Sequence, residues 1–152
     1  MGPVWMEAQH KTGAQINDLI WIENPPASSY PACIAVKTAG LQSSQVSEAY
    51  LREIWKAVMV DSLDISKKEI LIEIAAALLA GESVDFNFDR FVAEYNNELS
   101  REAFRNDLRQ ISYNKIGRFP TITFTKAGKG LIMTGYRPYE ALVEAFGQLQ
   151  LI

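Results

Sequence analysis

The feature that most constrains the fold of this chain is a change of residue pattern near residue 117. Before it, apolar residues recur with the spacing of amphipathic helices in consecutive stretches between residues 28 and 116. After it, the run Thr-Ile-Thr-Phe-Thr at residues 121–125 is rich in β-branched residues and alternates as a strand does. The pattern predicts one domain, residues 1–152, in which a helical subdomain (28–116) precedes a C-terminal hairpin and helix (117–152).

Local signals set the limits of the helices. Pro3 to Thr12 is predicted to be a short helix ended by Gly13, whereas Asn17 to Glu23 looks extended. Side chains that can cap or start helices predict where several of them begin: Ser28 or Ser29, the capping box Ser66-Lys67-Lys68-Glu69, Asp85 or Asn87, and Ser100. Ser43 and Ser44 interrupt the helical pattern, and another helix follows them.

Apolar spacing also predicts which side chains are buried. Helical spacing places Val46, Tyr50, Ile54 and Val58 on one face. The three tryptophans are expected in the core, as are three residues of the last helix, which Pro138 can open. These residues are Trp5, Trp21, Trp55, Leu142, Val143 and Phe146. A turn at residues 127–130 and a returning strand at 131–134 complete the predicted hairpin.

Composition excludes several classes of partner. The 152 residues are 48% hydrophobic and 22% charged, which is ordinary for a globular domain, and the formal charge of −3 argues against nucleic acid and anionic membranes. The longest apolar run, Ile70 to Ala80, contains Glu73 and is too short to span a bilayer. No secretory signal is visible at the N-terminus. A cytoplasmic location is therefore expected.

Cysteine and histidine are too few for the commonest metal sites and catalytic triads. Cys33 and His10 are single residues of their types, so an internal disulfide is excluded, and a metal site or a Ser-His-Asp triad would have to be built around one histidine. Cys33 is near a predicted helix N-terminus, which favours its thiolate, but a small side chain packed inward is the favoured interpretation. We therefore predict no catalytic or metal-binding residues.

Particular segments carry a resemblance to a known family. They are Asn24–Cys33, followed by Ile34–Lys37, and Gly117–Thr121, followed at a distance by Thr134–Tyr139. Together they resemble the DsbA-like family of thioredoxin-fold proteins, in its FrnE-like dithiol–disulfide isomerase branch. That branch is related to 2-hydroxychromene-2-carboxylate isomerases and kappa-class glutathione transferases. The resemblance covers nearly the whole chain but about the last three quarters of a family member, and it implies an α/β, thioredoxin-like fold with a helical insertion.

The resemblance also implies where a substrate would bind. Pro120 corresponds to the cis-proline beside the family's active site, and the preceding Phe119 offers its backbone to a bound peptide or thiol. Thr121 follows in the same substrate-binding segment.

A second segment is implied near the family's bound thiol. It contains Ser28, Ser29 and Tyr30, although helix capping and packing explain these residues equally well. Cys33 is a possible reactive thiol because of its predicted place near a helix N-terminus. In the family pattern it lies in the helical insertion and does not replace the family's Cys-X-X-Cys pair.

The first part of the family's sequence is missing from this one. It supplies a strand, a Cys-X-X-Cys motif at a helix start and a second strand. Without them the sheet is incomplete. Disulfide exchange needs one thiolate to attack and a second thiol to resolve the mixed disulfide, so this chain is expected to be inactive in that chemistry.

Three functions are compatible with these observations. The first is a truncated DsbA-like protein that binds a protein or peptide without redox chemistry. The second is a piece of a full thiol–disulfide oxidoreductase or isomerase acting on protein or peptide thiols. The third is a glutathione-dependent isomerase or transferase, whose cofactor supplies the thiol. The first two need no cofactor.

Two strands alone would leave an unpaired sheet edge, which is a liability in water. We therefore expect either a homo-oligomer formed through the exposed sheet or a strand recruited from Asn17 to Glu23.

Overall fold

A computed structural model describes residues 2–81 and 84–150. Helices form most of the first three quarters of the chain, and a β-hairpin and one helix form the last quarter. The elements, in chain order, are α1 (Gly2–Thr12), α2 (Ile20–Glu23), α3 (Tyr30–Gly40), α4 (Ser44–Met59), α5 (Lys68–Ala80), α6 (Phe88–Glu94), α7 (Glu98–Tyr113), β1 (Thr121–Lys126), β2 (Lys129–Thr134) and α8 (Tyr139–Gln150).

The chain forms two compact units. The helical unit is Met1–Asn106 and the hairpin unit is Asp107–Ile152, so the division falls within α7. The subdomain boundary predicted at residue 117 follows the sequence motifs and stays a prediction.

The core of the helical unit is centred on α4. The predicted face of Val46, Tyr50, Ile54 and Val58 is buried, which confirms the helical spacing. Ser43 caps the helix, since its hydroxyl accepts a hydrogen bond from the Val46 amide at 3.1 Å. The expectation that all three tryptophans are core residues is wrong for Trp55, which is 52% exposed. Trp5 and Trp21 are partly buried against the core.

Aromatic contacts join α4 to α6 within this core. Phe91 is fully buried, and its ring centroid lies 5.1 Å from that of Tyr50 and 5.7 Å from that of Phe86. The Tyr50 hydroxyl donates a hydrogen bond to the Leu71 carbonyl of α5 at 2.8 Å. A buried hydroxyl is thereby satisfied, and three helices are tied together.

The prediction of an extended segment from Asn17 to Glu23 is wrong. The Asn17 side chain accepts a hydrogen bond from the Leu19 amide at 3.2 Å, which starts a turn, and α2 follows. Ile20 is fully buried in the helical core, and the Trp21 ring meets Trp5 edge to face at 5.0 Å. Burial of these side chains holds the segment in a helical turn, so the recruited strand is also wrong.

Two predicted helix starts need correction. Ser66 does not cap α5, because its hydroxyl donates to the Asp64 carboxylate at 2.5 Å, and the helix begins at Lys68. Helix α7 begins two residues before the predicted Ser100, where the Asn97 side chain accepts from the Ser100 amide at 2.9 Å. The predicted cap at Asn87 is confirmed, since its side chain accepts from the Arg90 amide at 2.8 Å.

The hairpin of the second unit is tighter than predicted. Strands β1 and β2 are antiparallel, with Thr121 opposite Thr134 and Lys126 opposite Lys129, and within the described residues they form a two-stranded sheet. The turn is the dipeptide Ala127-Gly128, with φ of 49° and 78°. Two consecutive positive φ angles match the twist of a two-residue hairpin, so Lys129 and Gly130 join β2.

Helix α8 packs through a different stripe from the one predicted. Ala145 and Leu149, one turn apart, are buried, whereas Val143 and Phe146 are 50% and 49% exposed. Leu142 is half-buried. The Phe146 ring still contacts that of Phe124 on β1 at 6.0 Å.

Candidate functional site

The segment before β1 contains a cis peptide bond. The Phe119–Pro120 bond is cis, as the resemblance implied. The Pro120 carbonyl accepts a hydrogen bond from the Gly135 amide at 2.8 Å, and the Thr121 hydroxyl donates to the Arg118 carbonyl at 2.6 Å. These bonds hold Phe119 and Pro120, here called the cis-proline loop, beside the segment that leaves β2.

The side chains around this loop face solvent. Phe119 is 68% exposed, and Tyr136, which follows Gly135, is 56% exposed. Within the described part of the chain, neither the amide nor the carbonyl of Phe119 forms a hydrogen bond. The exposed Phe119 ring and the unpaired amide and carbonyl of the same residue therefore lie together.

The second predicted segment lies in the helical unit. The Ser28 hydroxyl accepts from the Tyr30 amide at 3.1 Å, whereas the Ser29 side chain forms no cap. The Tyr30 ring meets Phe104 edge to face at 5.0 Å, and Tyr30 is 55% exposed. Turn formation accounts for Ser28 and packing for Tyr30. Their place in a substrate cleft stays a prediction.

Cys33 lies in the first turn of α3, where its amide donates to the Ser29 carbonyl at 3.0 Å. It is half-buried, between the buried Ala32 and the partly buried Ile34. The structure thus groups Cys33 with the Ser28–Tyr30 segment in one unit and Phe119, Pro120 and Thr121 in the other.

The hairpin unit contains a concentration of positive charge that was not predicted from the sequence. Residues 108–139 include six Lys and Arg and no Asp or Glu. Arg118 precedes the cis-proline loop, and Arg137 lies two residues beyond Gly135; both side chains are exposed. Counting charge by segment rather than over the whole chain would have revealed this feature.

The described residues contain no group of three or more His, Cys, Asp and Glu side chains placed to hold a metal ion. No helix within them is both long and apolar enough to cross a membrane.

A cis-proline directly before a hairpin strand, a returning strand and a closing helix are the features that the resemblance to a thioredoxin-like fold implies. A family model described as Thioredoxin matches residues 3–144. The chain belongs to that family.

Curated relatives with similar sequences are ClpXP adapter proteins named SpxH. The protein from Halalkalibacterium halodurans is 24% identical over 144 residues, which cover 93% of this chain and 45% of that protein. The protein from Bacillus subtilis is 23% identical over 149 residues, covering 95% and 48%. The chain thus spans about half the length of the curated relatives it matches.

Solved structures confirm the DsbA-like form of the fold. A protein assigned as a disulfide isomerase, from Nitrosomonas europaea, superposes with a TM-score of 0.83 at 20% identity, covering 97% of this chain and 70% of that one. The cytosolic disulfide reductase DsbM from Pseudomonas aeruginosa superposes with a TM-score of 0.72 at 22% identity, covering 99% and 75%. The α/β, thioredoxin-like fold class is confirmed, and the sheet has two strands within the described residues.

Proposed function

We propose that this chain is a protein-binding module of the thioredoxin family that does not itself catalyse dithiol–disulfide exchange. The observation that carries the proposal is the cis-proline loop. It presents the exposed Phe119 ring beside two backbone groups without hydrogen-bond partners in the described chain. Exposed aromatic side chains are frequent anchors in protein interfaces, and unpaired backbone groups can bond an extended peptide.

The chemistry of the single cysteine supports the second half of the proposal. A thiolate at Cys33 could attack a disulfide, but release of the resulting mixed disulfide needs a second thiol. This sequence has one cysteine, so turnover would depend on an external thiol.

The curated relatives support a protein as the partner. Their name, ClpXP adapter protein, describes proteins that act through other proteins. A cytoplasmic location is part of the proposal and agrees with the cytosolic DsbM structure. The alternative is that this chain is one part of a longer thiol–disulfide oxidoreductase or isomerase, and an upstream in-frame Cys-X-X-Cys motif in the DNA would favour it.

Binding of an extended polypeptide tests the proposal directly. A fluorescein-labelled, S-carbamidomethylated insulin B chain should bind saturably in fluorescence anisotropy, and Phe119→Ala should weaken binding about tenfold because an exposed anchor is lost. Tyr113→Ala is the matched control, since Tyr113 is an exposed aromatic residue of the same unit, at the end of α7. Absence of saturable binding, or equal losses in both variants, would contradict the proposal.

An insulin-reduction assay tests the second part of the proposal, that the chain does not catalyse dithiol–disulfide exchange. With dithiothreitol as reductant, the chain should give the same rate of insulin precipitation as buffer, and Cys33→Ser should not change it. Thioredoxin serves as the positive control. Catalytic turnover by the wild-type chain would overturn this part. Calorimetric titration with glutathione tests the third function, a glutathione-dependent isomerase or transferase. Glutathione binding that is abolished by Cys33→Ser or Phe119→Ala would favour that function.

A further inference from the structure

We infer that the exposed surface formed by Arg118, Phe119, Tyr136 and Arg137, here called the arginine–aromatic surface, binds an acidic segment of the partner polypeptide. The inference rests on the proposed function, because it names the chemical class of the peptide that the cis-proline loop would bind.

Charge is distributed unevenly between the two units. The hairpin unit has six Lys and Arg and three Asp and Glu, whereas the helical unit has nine and fifteen. The chain with a formal charge of −3 therefore carries about +3 on its hairpin unit and −6 on its helical unit. A local positive field attracts acidic partners and favours their approach to this unit.

The two arginines of this surface are available to a carboxylate of the partner. Within the described residues, neither Arg118 nor Arg137 forms an ion pair. On α7, by contrast, Arg105 lies 2.7 Å from the Glu98 carboxylate. An exposed guanidinium without a partner can still bind a carboxylate through two parallel hydrogen bonds.

The residues of this surface lie on two loops at the same end of the hairpin. The bond from the Gly135 amide to the Pro120 carbonyl, and the pairing of Thr121 with Thr134, hold the two loops side by side at one end of the hairpin. The Lys126–Lys129 pair is at the turn, five residue steps or roughly 17 Å away along the strand. The arginine–aromatic surface is thus distinct from the basic turn, and it combines two exposed arginines with the exposed rings of Phe119 and Tyr136.

An acidic peptide fits this surface better than a nucleic acid does. Aromatic and basic side chains together also suit single-stranded nucleic acid. However, the net charge of the whole chain is −3, which opposes binding of a phosphate backbone with its continuous negative charge. A peptide with a few carboxylates can satisfy two arginines locally and place an apolar residue on Phe119.

Three labelled peptides with one apolar framework, carrying Glu, Gln or Lys at the same positions, test the inference with the wild-type chain. Anisotropy should show the Glu peptide binding at least about tenfold more tightly than the Gln peptide, and the Lys peptide more weakly still. The advantage of the Glu peptide should shrink as salt is raised, because salt screens exposed charges.

Matched double variants show which basic residues cause the preference for the Glu peptide. Arg118→Gln with Arg137→Gln should remove most of the preference for Glu, whereas Lys126→Gln with Lys129→Gln, which removes the same charge, should change affinity less than about threefold. Circular dichroism checks that both variants fold. Equal effects of the two pairs would overturn the inference in favour of general charge attraction.

Three further outcomes would also overturn it. They are tighter binding of an oligothymidylate through the same arginines, equal binding of the Glu and Gln peptides, or Arg118- and Arg137-dependent self-association in sedimentation with no peptide preference. Equal binding of the Glu and Gln peptides would still leave the proposed function intact. Failure of the insulin B chain to bind would remove both.

Discussion

Replacing Phe91 with alanine is expected to lower the free energy of unfolding by about 3–5 kcal/mol, the range for removing a fully buried phenylalanine ring. The Phe91 ring is fully buried and contacts Tyr50, Phe86 and Tyr95 at centroid distances of 5.1, 5.7 and 6.2 Å. Its removal would leave a cavity between these three rings, which are held by different segments of the chain and cannot all move in to fill it.

Urea denaturation followed by far-ultraviolet circular dichroism measures this loss. The urea concentration at the midpoint of unfolding should fall, while the slope of the unfolding free energy against urea concentration stays nearly constant. Val92→Ala is the matched control, because Val92 is the next residue of α6 and is 38% exposed. A loss below about 1 kcal/mol for Phe91→Ala would mean that the aromatic cluster does not hold the helical unit together.

Replacing Asp64 with asparagine is expected to cost about 1–2 kcal/mol at pH 7. Asparagine keeps an oxygen that can accept the hydrogen bonds from Ser66, but it removes the negative charge, and hydrogen bonds to a charged acceptor are roughly twice as strong as those to a neutral one. Asp64 is 7% exposed. Its Oδ1 accepts bonds from the Ser66 amide at 3.0 Å and the Ser66 hydroxyl at 2.5 Å, and Lys67 Nζ lies 3.4 Å from Oδ2. Asp61→Asn is the control, because the Lys56–Asp61 ion pair is at the surface.

The effect of Asp64 should depend on pH. Burial alone would raise the pKa of the Asp64 carboxyl, but hydrogen bonds from Ser66 and the charge of Lys67 outweigh burial and lower the pKa below its ordinary value of 3.8. A lowered pKa in the folded state stabilises the protein above the unfolded pKa, and that stabilisation is lost as pH falls through the folded pKa.

Thermal melts of wild type and Asp64→Asn at several pH values check the sign. The difference in melting temperature should be constant from pH 7 to about pH 5 and should narrow below pH 3.8. A difference in melting temperature that widens as the pH falls would contradict the lowered pKa of Asp64.

Much of the helical unit was predictable because its signals are local. The spacing of Val46, Tyr50, Ile54 and Val58 identified the buried face of α4, and the cap at Asn87 identified the start of α6. The failures occurred where tertiary contacts decide. The apolar run around Ile20 looks extended in isolation, but burial of its side chains selects a helical turn.

The candidate site was predictable in part. The resemblance identified Pro120, and the structure places the cis bond there. The approach of Arg137 to the same end of the hairpin as Arg118 depends on strand register, which a two-residue turn sets and which the predicted four-residue turn would have altered. Redox inactivity and peptide binding remain proposals, as does the expected homo-oligomer.

The edge-to-face contact between Trp5 and Trp21 has an optical consequence. These two indoles are 5.0 Å apart and partly shielded by the helical core, whereas the indole of Trp55 faces water. Intrinsic emission from this protein therefore combines a coupled, shielded pair with one solvated fluorophore. Detachment of the first helix would shift the pair's emission to the red and leave the third indole as an internal reference.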